Sequence, residues 1–347
     1  MKRTLGILMT AGILLAGCGQ EEKTATSANK EVAGKKIAVI RNLASDDHTK
    51  QFIDGAKAEG KALGLTVDTF LSNGNDAKFQ QLVDQAVLKK YDGIILSHGK
   101  EDYSYNLVKK VADAGIKVVT FDTKSDQNGK VLDHVVATSQ DDHALAELSL
   151  DALIEDKKQP VKVLKLWVGP GFLPLDRREE VFKDYVKEGK IKVVETVGPT
   201  NFEDVSGDVK KKTAAVLAKY NNKDIDAVWG AWDEMTKGAY LAIKEKQAVL
   251  PIYSIDISNQ DINFLKELNS NWKTTAGVNP RVIGITDVRL LAKQLNNEKV
   301  PQTYEFKPVQ VKQSDLKKDS TMENLSQTIP SFGDTGLFQS EWMKEKK

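Results

Sequence analysis

The chain has 347 residues, with 50 Lys and Arg against 49 Asp and Glu, so its formal net charge of +1 leaves no basic excess to draw a nucleic acid. A single cysteine excludes any disulfide within the chain. About 310 residues follow the polar N-terminal stretch, enough for two domains with separate cores.

Lys2 and Arg3 precede an apolar run from Leu5 to Leu15, too short to span a bilayer and placed as the apolar segment of an export leader. Leu15-Ala16-Gly17-Cys18 then resembles the lipobox of bacterial lipoproteins. The resemblance implies cleavage after residue 17 and lipid attachment at Cys18, on the extracytoplasmic face of the cell membrane. Residues 18–34 are polar and small and read as a flexible tether. Losing Lys2 and Arg3 with the leader turns the formal charge to −1. No second apolar run approaches membrane-spanning length, so the lipid alone would hold the protein at the membrane.

From Lys35 onward, compact apolar runs alternate with helical periodicity. The spacing predicts strands at Lys35–Ile40, Leu65–Leu71, Gly93–Ser97 and Ile116–Phe121, with helices at Asp47–Leu63, Asp76–Lys90 and Tyr103–Ala114 between them. Successive β-then-α units imply a parallel sheet covered on both faces. A crossing strand, Val131–Ala137, leads to a second series. Its helices are His143–Ile154, Pro174–Lys187, Val205–Tyr220, Glu234–Lys246 and Asn259–Leu268. Its strands are Val161–Val168, Ile191–Val197, Ile225–Ala231 and Ile252–Ile255. A last strand, Thr274–Val278, is followed by an amphipathic helix, Pro280–Leu295. The tail from Ser326 reads as loop, yet Phe332, Leu337, Phe338 and Trp342 require it to pack back on a lobe.

Within the second series, Asp226 to Ile243 changes from buried strand to helix at Trp232 and Asp233. In an open α/β sheet, ligands bind beyond the carboxyl ends of the strands, which is where these two residues fall. An aromatic plane beside an acceptor-only carboxylate suits a sugar. Asp233 would serve equally as a helix cap and Trp232 as an edge of the core.

The segments DGAKAEGKALGL (54–65), YDGIIL (91–96), IKVVTFD (116–122), WDEMTKGA (232–239) and IYSIDIS (252–258), in this order, resemble the type I periplasmic sugar-binding proteins, with the ribose-binding group nearest. The resemblance runs from about Lys35 to about Gln313. It implies an α/β fold of two doubly wound parallel-sheet lobes, joined by three hinge crossings near Ala137, Gly277 and Pro308. One lobe would comprise residues 35–137 and 278–308, the other 138–277 and 309–347. It also implies a monomer that holds a small carbohydrate or polyol between its lobes and delivers it to an ABC transporter permease. A ligand-binding receptor that feeds a membrane sensor is the alternative.

Carried over position by position, the resemblance implies ligand contacts from Asn42, Asp46 and His48 after the first strand, His98 after the third, and Asp122 and Thr123 after the fourth. His48 and Thr49 stand where the family has two stacking aromatics, and Thr123 stands where it has arginine. On the second lobe the implied contacts are Arg178, with Arg177 as an alternative, then Phe202, Trp232, Asp233 and Asp256. Trp232 replaces a hydroxyl-binding asparagine. Asn279 lies beside the family's hinge glutamine, a position filled by Val278. Asp122 and Asp256 could otherwise cap turns, Arg178 could face solvent, and His98 could be buried in its loop.

The four histidines, His134 and His143 among them, show no metal-ligand spacing, so neither metal nor cofactor is expected. Paired carboxylates in a cleft are compatible with glycoside chemistry. However, no nucleophile elbow, zinc-protease motif or P-loop occurs, and Gly169-Pro170-Gly171 is only a fragment of a glycine-rich loop, so a binding protein is expected in place of an enzyme. A DNA-binding repressor built on the same core would need a helix-turn-helix where the leader stands.

Overall fold

The computed structural model describes residues 32–155, 157–220 and 224–344. The leader at 1–17 and Cys18 lie outside the described residues.

In the first lobe the elements are β1 (Lys36–Arg41), α1 (Asp47–Ala62), β2 (Thr66–Leu71), α2 (Asp76–Leu88), β3 (Gly93–Ser97), α3 (Glu101–Asp113), β4 (Lys117–Phe121) and β7 (Val135–Gln140). A two-stranded antiparallel hairpin, β5 (Asp126–Gln127) and β6 (Lys130–Val131), precedes β7. Burial on both faces explains the apolar runs: in β3, every residue of GIILS is buried. The helices start where side chains supply the caps. Asp46 accepts from the Thr49 amide at 2.6 Å to open α1, and Asn75 accepts from Lys78 at 2.9 Å to open α2.

The second lobe contains α4 (Asp142–Glu155), β8 (Val161–Leu166), α5 (Leu173–Lys187), β9 (Ile191–Val197), α6 (Val205–Lys219), β10 (Ala227–Gly230), α7 (Asp233–Glu245), β11 (Ile252–Ile255), α8 (Asn259–Leu265) and β12 (Trp272–Gly277). The chain then returns through α9 (Pro280–Leu295) and β13 (Thr303–Phe306) to the first lobe, and enters the second again as β14 (Val309–Lys312). The two six-stranded sheets have orders β13-β7-β4-β3-β1-β2 and β14-β12-β11-β10-β8-β9. All pairings in them are parallel except β12 with β14.

Helix α9 covers the first sheet alongside α1, and glycines let the two backbones meet. A Cβ at Gly284 would lie 2.1 Å from the Phe52 carbonyl oxygen, and one at Gly55 would lie 2.1 Å from that of Arg281. Neither position admits a side chain without moving a helix.

Beyond shifts of a few residues at element ends, three features differ from the sequence-based expectation. The strand expected at Val131–Ala137 is displaced: a turn with His134 at φ +64° precedes it, and β7 runs from Val135 to Gln140. Ala137 is therefore mid-strand, paired with Thr303, and the chain leaves the lobe at Asp141, where Lys307 of a later crossing binds it at 2.6 Å. The residues around Pro308 form edge strands of both sheets, each only four residues long and too short to show a period. The tail divides between lobes. Met322, Leu325 and Phe332 join Ile257 and Ile262 on the second, whereas Leu337, Phe338, Trp342 and Met343 pack on the first. Assigning 309–347 wholly to the second lobe is corrected on that ground: the last apolar side chains find cover beside α9, where Arg289 binds Asp334 at 2.8 Å.

Candidate functional site

The carboxyl ends of the two sheets face each other. Asp47 at the start of α1 accepts from the Asn259 amide at the start of α8, at 2.7 Å across the lobes. Asp122 follows β4 in the first lobe and Asp256 follows β11 in the second, in matching postures. Each has a left-handed φ, +44° and +72°, and each donates its amide to a neighbouring strand, to Thr138 at 3.0 Å and Ala276 at 2.8 Å. That turn aims both carboxylates away from their own sheets.

Two consecutive arginines of α5 join them. Arg178 donates from Nη1 and Nη2 to the two oxygens of Asp256 at 2.8 and 3.0 Å, from Nη1 to the Ala231 carbonyl at 2.7 Å, and from Nε to Asp142 at 2.8 Å. Arg177 donates to the other oxygen of Asp142, from Nε at 2.9 Å and also from Nη2, and that same Nη2 reaches Asp122 at 3.0 Å. The result is an alternating chain, Asp122–Arg177–Asp142–Arg178–Asp256, that runs from one lobe to the other. Its bidentate link is the charged geometry that guanidinium and carboxylate favour.

Burial sets the protonation. It pushes the Asp122 carboxyl up to about 7, with Asp142 adding to the rise and Arg177 opposing it. Asp256 is pushed up to about 6, again mainly by burial against the pull of Arg178. Burial acts against Arg178 too, but Asp256 and Asp142 outweigh it and keep the guanidinium firmly charged. His48 is held down to about 3 by burial and by Arg41, and His98 well below its ordinary value for the same two reasons. Both rings are neutral near pH 7.

Asp233, buried at the first position of α7, pairs with Lys237 at 3.0 Å; Lys237 also binds Glu234 at 2.5 Å and lies 3.7 Å from Asp261. Trp232 is half-buried beside it, packed on the second-lobe core. His98 has a φ of +62° and shares a 2.6 Å hydrogen bond between Nδ1 and Ser97, its ring standing edge-on to Phe121.

Other candidates serve the frame. Asn42 spends its amide on Asp76 at 2.8 Å and Tyr103 at 3.2 Å and accepts from Ser72, all within the first lobe. Asp46 caps α1. Thr123 accepts from the Gly99 amide at 3.1 Å and donates to the Phe121 carbonyl at 3.0 Å. Asn279 caps α9 by accepting from Arg281 at 3.0 Å and holds the tail by donating to the Phe332 carbonyl at 3.0 Å. Phe202, 51% exposed, stacks on Phe172 with centroids 5.8 Å apart, in the loops after β9 and β8.

Three residues of this region were missed in the sequence: Arg41, Asp142 and Lys237. Asp142 reads as an ordinary first-turn acid and Lys237 as a helix-surface cation. Arg41 was the findable one, a charge directly after the apolar run Ile37–Ile40. Among the described residues, no group of His, Cys, Asp and Glu is arranged to hold a metal, and no helix is long and apolar enough to cross a membrane.

A family model described as a periplasmic binding protein domain matches residues 37–299. A solved structure of a sugar ABC transporter from Yersinia enterocolitica is 43% identical, with a TM-score of 0.85, and the match covers 91% of this chain and 95% of that one. The 5-methylthioribose transporter solute binding protein of Thermotoga lettingae, solved with 5-methylthioribose, is 27% identical, with a TM-score of 0.82 and coverage of 89% and 96%. The D-xylose-binding periplasmic protein of Escherichia coli is 23% identical over 284 residues, 79% of this chain and 77% of its own. The two-lobed α/β architecture expected from the sequence is the one these structures share.

Proposed function

The chain belongs to the periplasmic binding protein family, and from that membership we propose that it is a solute-binding protein that captures a neutral sugar or polyol between its lobes and delivers it to an ABC transporter permease outside the cytoplasm. The carrying observation is the Arg177–Asp122 contact across the lobes, backed by Arg178 and Asp256. Carboxylates and guanidinium groups together offer acceptors and donors in the alternation that ring hydroxyls require.

Charge supports an uncharged guest. Asp122, Asp142, Asp233, Glu234 and Asp256 stand among four cations, Arg41, Arg177, Arg178 and Lys237, and burial raises Asp261 and Asp287 well above the ordinary carboxylate range. A guest with a net charge would have to displace one of these pairings, whereas hydroxyl groups bond to both signs. Neutral His48 and half-buried Trp232 supply flatter, less polar surface for the edge of a sugar.

The lipobox-like Leu15–Cys18 supports attachment to the membrane through Cys18, with the binding lobes held off it by the tether. The motif and the relatives' transport roles support this location together.

Calorimetric titration and thermal shift with D-xylose, 5-methylthioribose, D-ribose, D-glucose and linear polyols test the reading. A cognate guest at a hundred times its Kd adds about 2.7 kcal/mol of stability. Failure of every carbohydrate and polyol to shift the melting curve would overturn it. Metabolic labelling with an azido fatty acid tests the anchor: label on the wild type and none on Cys18→Ser supports it, and no label on the wild type refutes it.

A further inference from the structure

Arg41 closes β1 on the side that faces the other lobe, and its side chain is fully buried. None of its three guanidinium nitrogens has a hydrogen-bond partner. The group lies over the ring of Phe52, 4.1 Å from the centroid, and Phe52 in turn stacks on Phe121 at 5.7 Å. Burial lowers its pKa only to about 10, so it stays charged. A buried cation with no acceptor is costly, and native proteins seldom keep one without use.

The charged and titratable groups that face it come from every element around it. They are Asp46 and His48 at the start of α1, His98 after β3, Asp122 after β4, and Asp287 on α9. Among the described residues, no carboxylate comes within 4.0 Å of its nitrogens. Two of these groups keep an unpartnered oxygen of their own. Oδ2 of Asp122 has no donor, though Oδ1 has Arg177, and Oδ2 of Asp287 has none, though Oδ1 accepts from Thr138 at 2.9 Å. The unused donors of Arg41 and the unused oxygen of Asp122 thus lie on the same first-lobe wall, near enough to act on each other electrostatically but more than 4.0 Å apart. A hydroxyl group matches them, because one oxygen accepts from a guanidinium while its proton goes to a carboxylate.

We propose that Arg41 is a ligand-binding, specificity-determining residue: held flat by Phe52, it donates to a ligand oxygen that itself donates to the free oxygen of Asp122, selecting a hydroxyl at that point over a hydrogen. The inference rests on the solute-binding reading above and deepens it. A deoxy guest would leave both protein groups unpaired.

Arg41→Met and Arg41→Lys test it with D-xylose and 5-methylthioribose as probes, by calorimetry and by melting of the ligand-free proteins. Methionine keeps the apolar contact with Phe52 and removes the unpaired charge. Ligand-free Arg41→Met should therefore melt at or above the wild type, while its affinity for the probe that the wild type binds falls on the order of 100-fold. Lysine should recover part of that loss. Arg41→Met combined with Asp122→Asn should lose little more than the worse single variant, since both act on one hydroxyl. Arg41→Met melting several degrees lower without ligand would make Arg41 a frame residue and overturn the proposal, as would affinity within threefold of the wild type or fully additive losses. A wild type that binds neither probe nor any other carbohydrate would sink the solute-binding reading and this proposal together, whereas equal binding by wild type and Arg41→Met sinks this proposal alone.

Discussion

Arg177 on the second lobe donates to Asp122 on the first at 3.0 Å, and Asp142 fixes that arginine from behind. The contact is a direct electrostatic tie between the two lobes, so on the proposed solute-binding reading it weights the closed arrangement of the ligand-free protein. Arg177→Met should therefore enlarge the radius of gyration of the ligand-free protein in small-angle scattering and weaken ligand binding about tenfold, the size of one charged hydrogen bond. An unchanged radius together with unchanged affinity would show that closure is set elsewhere.

Asp122 also makes stability depend on pH. Its carboxyl is raised from 3.8 to about 7 in the folded protein, so between those values the folded chain binds the proton more readily than the unfolded one. The cost of ionising it is fully present above about pH 7 and fades as pH falls toward 4. Asp256 adds the same sign up to about 6. His48, lowered to about 3, acts oppositely and costs stability as pH drops below 6.5. The difference between wild type and Asp122→Asn cancels the other groups. The melting temperature of the variant should gain on that of the wild type as pH rises from 4.5 to 7.5, and a constant gap across that range refutes the assignment.

Lys237 holds three acids around one buried ammonium: Asp233, Glu234 and Asp261. Lys237→Met leaves them without a counter-charge, which should lower the unfolding free energy by about 3–5 kcal/mol in a urea titration. Adding Asp233→Asn should return part of that loss. A loss below about 1 kcal/mol would mean that the acids are already neutral or solvated.

The approach of α1 and α9 through Gly55 and Gly284 sets a steric limit. Gly284→Ala puts a methyl 2.1 Å from the Phe52 carbonyl oxygen, so the helices must separate. The unfolding free energy should fall by about 1–3 kcal/mol, read as a lower urea midpoint at unchanged slope. An unaffected midpoint would show that the pair has slack.

The architecture was legible because parallel strands buried on both faces are apolar runs, and runs such as Gly93–Ser97 and Ile252–Ile255 stand out against helical periodicity. The edge strands β13 and β14 were not legible, since TYEF and VQVK are too short and polar to carry a pattern. Family position brought Asp122, Arg177, Arg178 and Asp256 forward, and they form one connected chain. It also brought Asn42, Thr123 and Asn279 forward, whose hydrogen bonds are spent on their own loops. Asp142 escaped notice because helices commonly begin with an acid, and only the fold reveals that two arginines converge on this one. Asp233 looked free for a ligand because Lys237, one helical turn on, reads as a surface cation, and only burial shows the pair closed on itself.

Glu59 and Arg289 bind at 2.8 Å although 230 residues separate them, and the same lobe takes its last apolar cover from Trp342 and Met343. A nascent chain that has emerged as far as β12 therefore holds most of the second lobe but only part of the first, with α1 still lacking α9 across its inner face. The half synthesised first is the half completed last, and contacts of such long sequence separation close slowly.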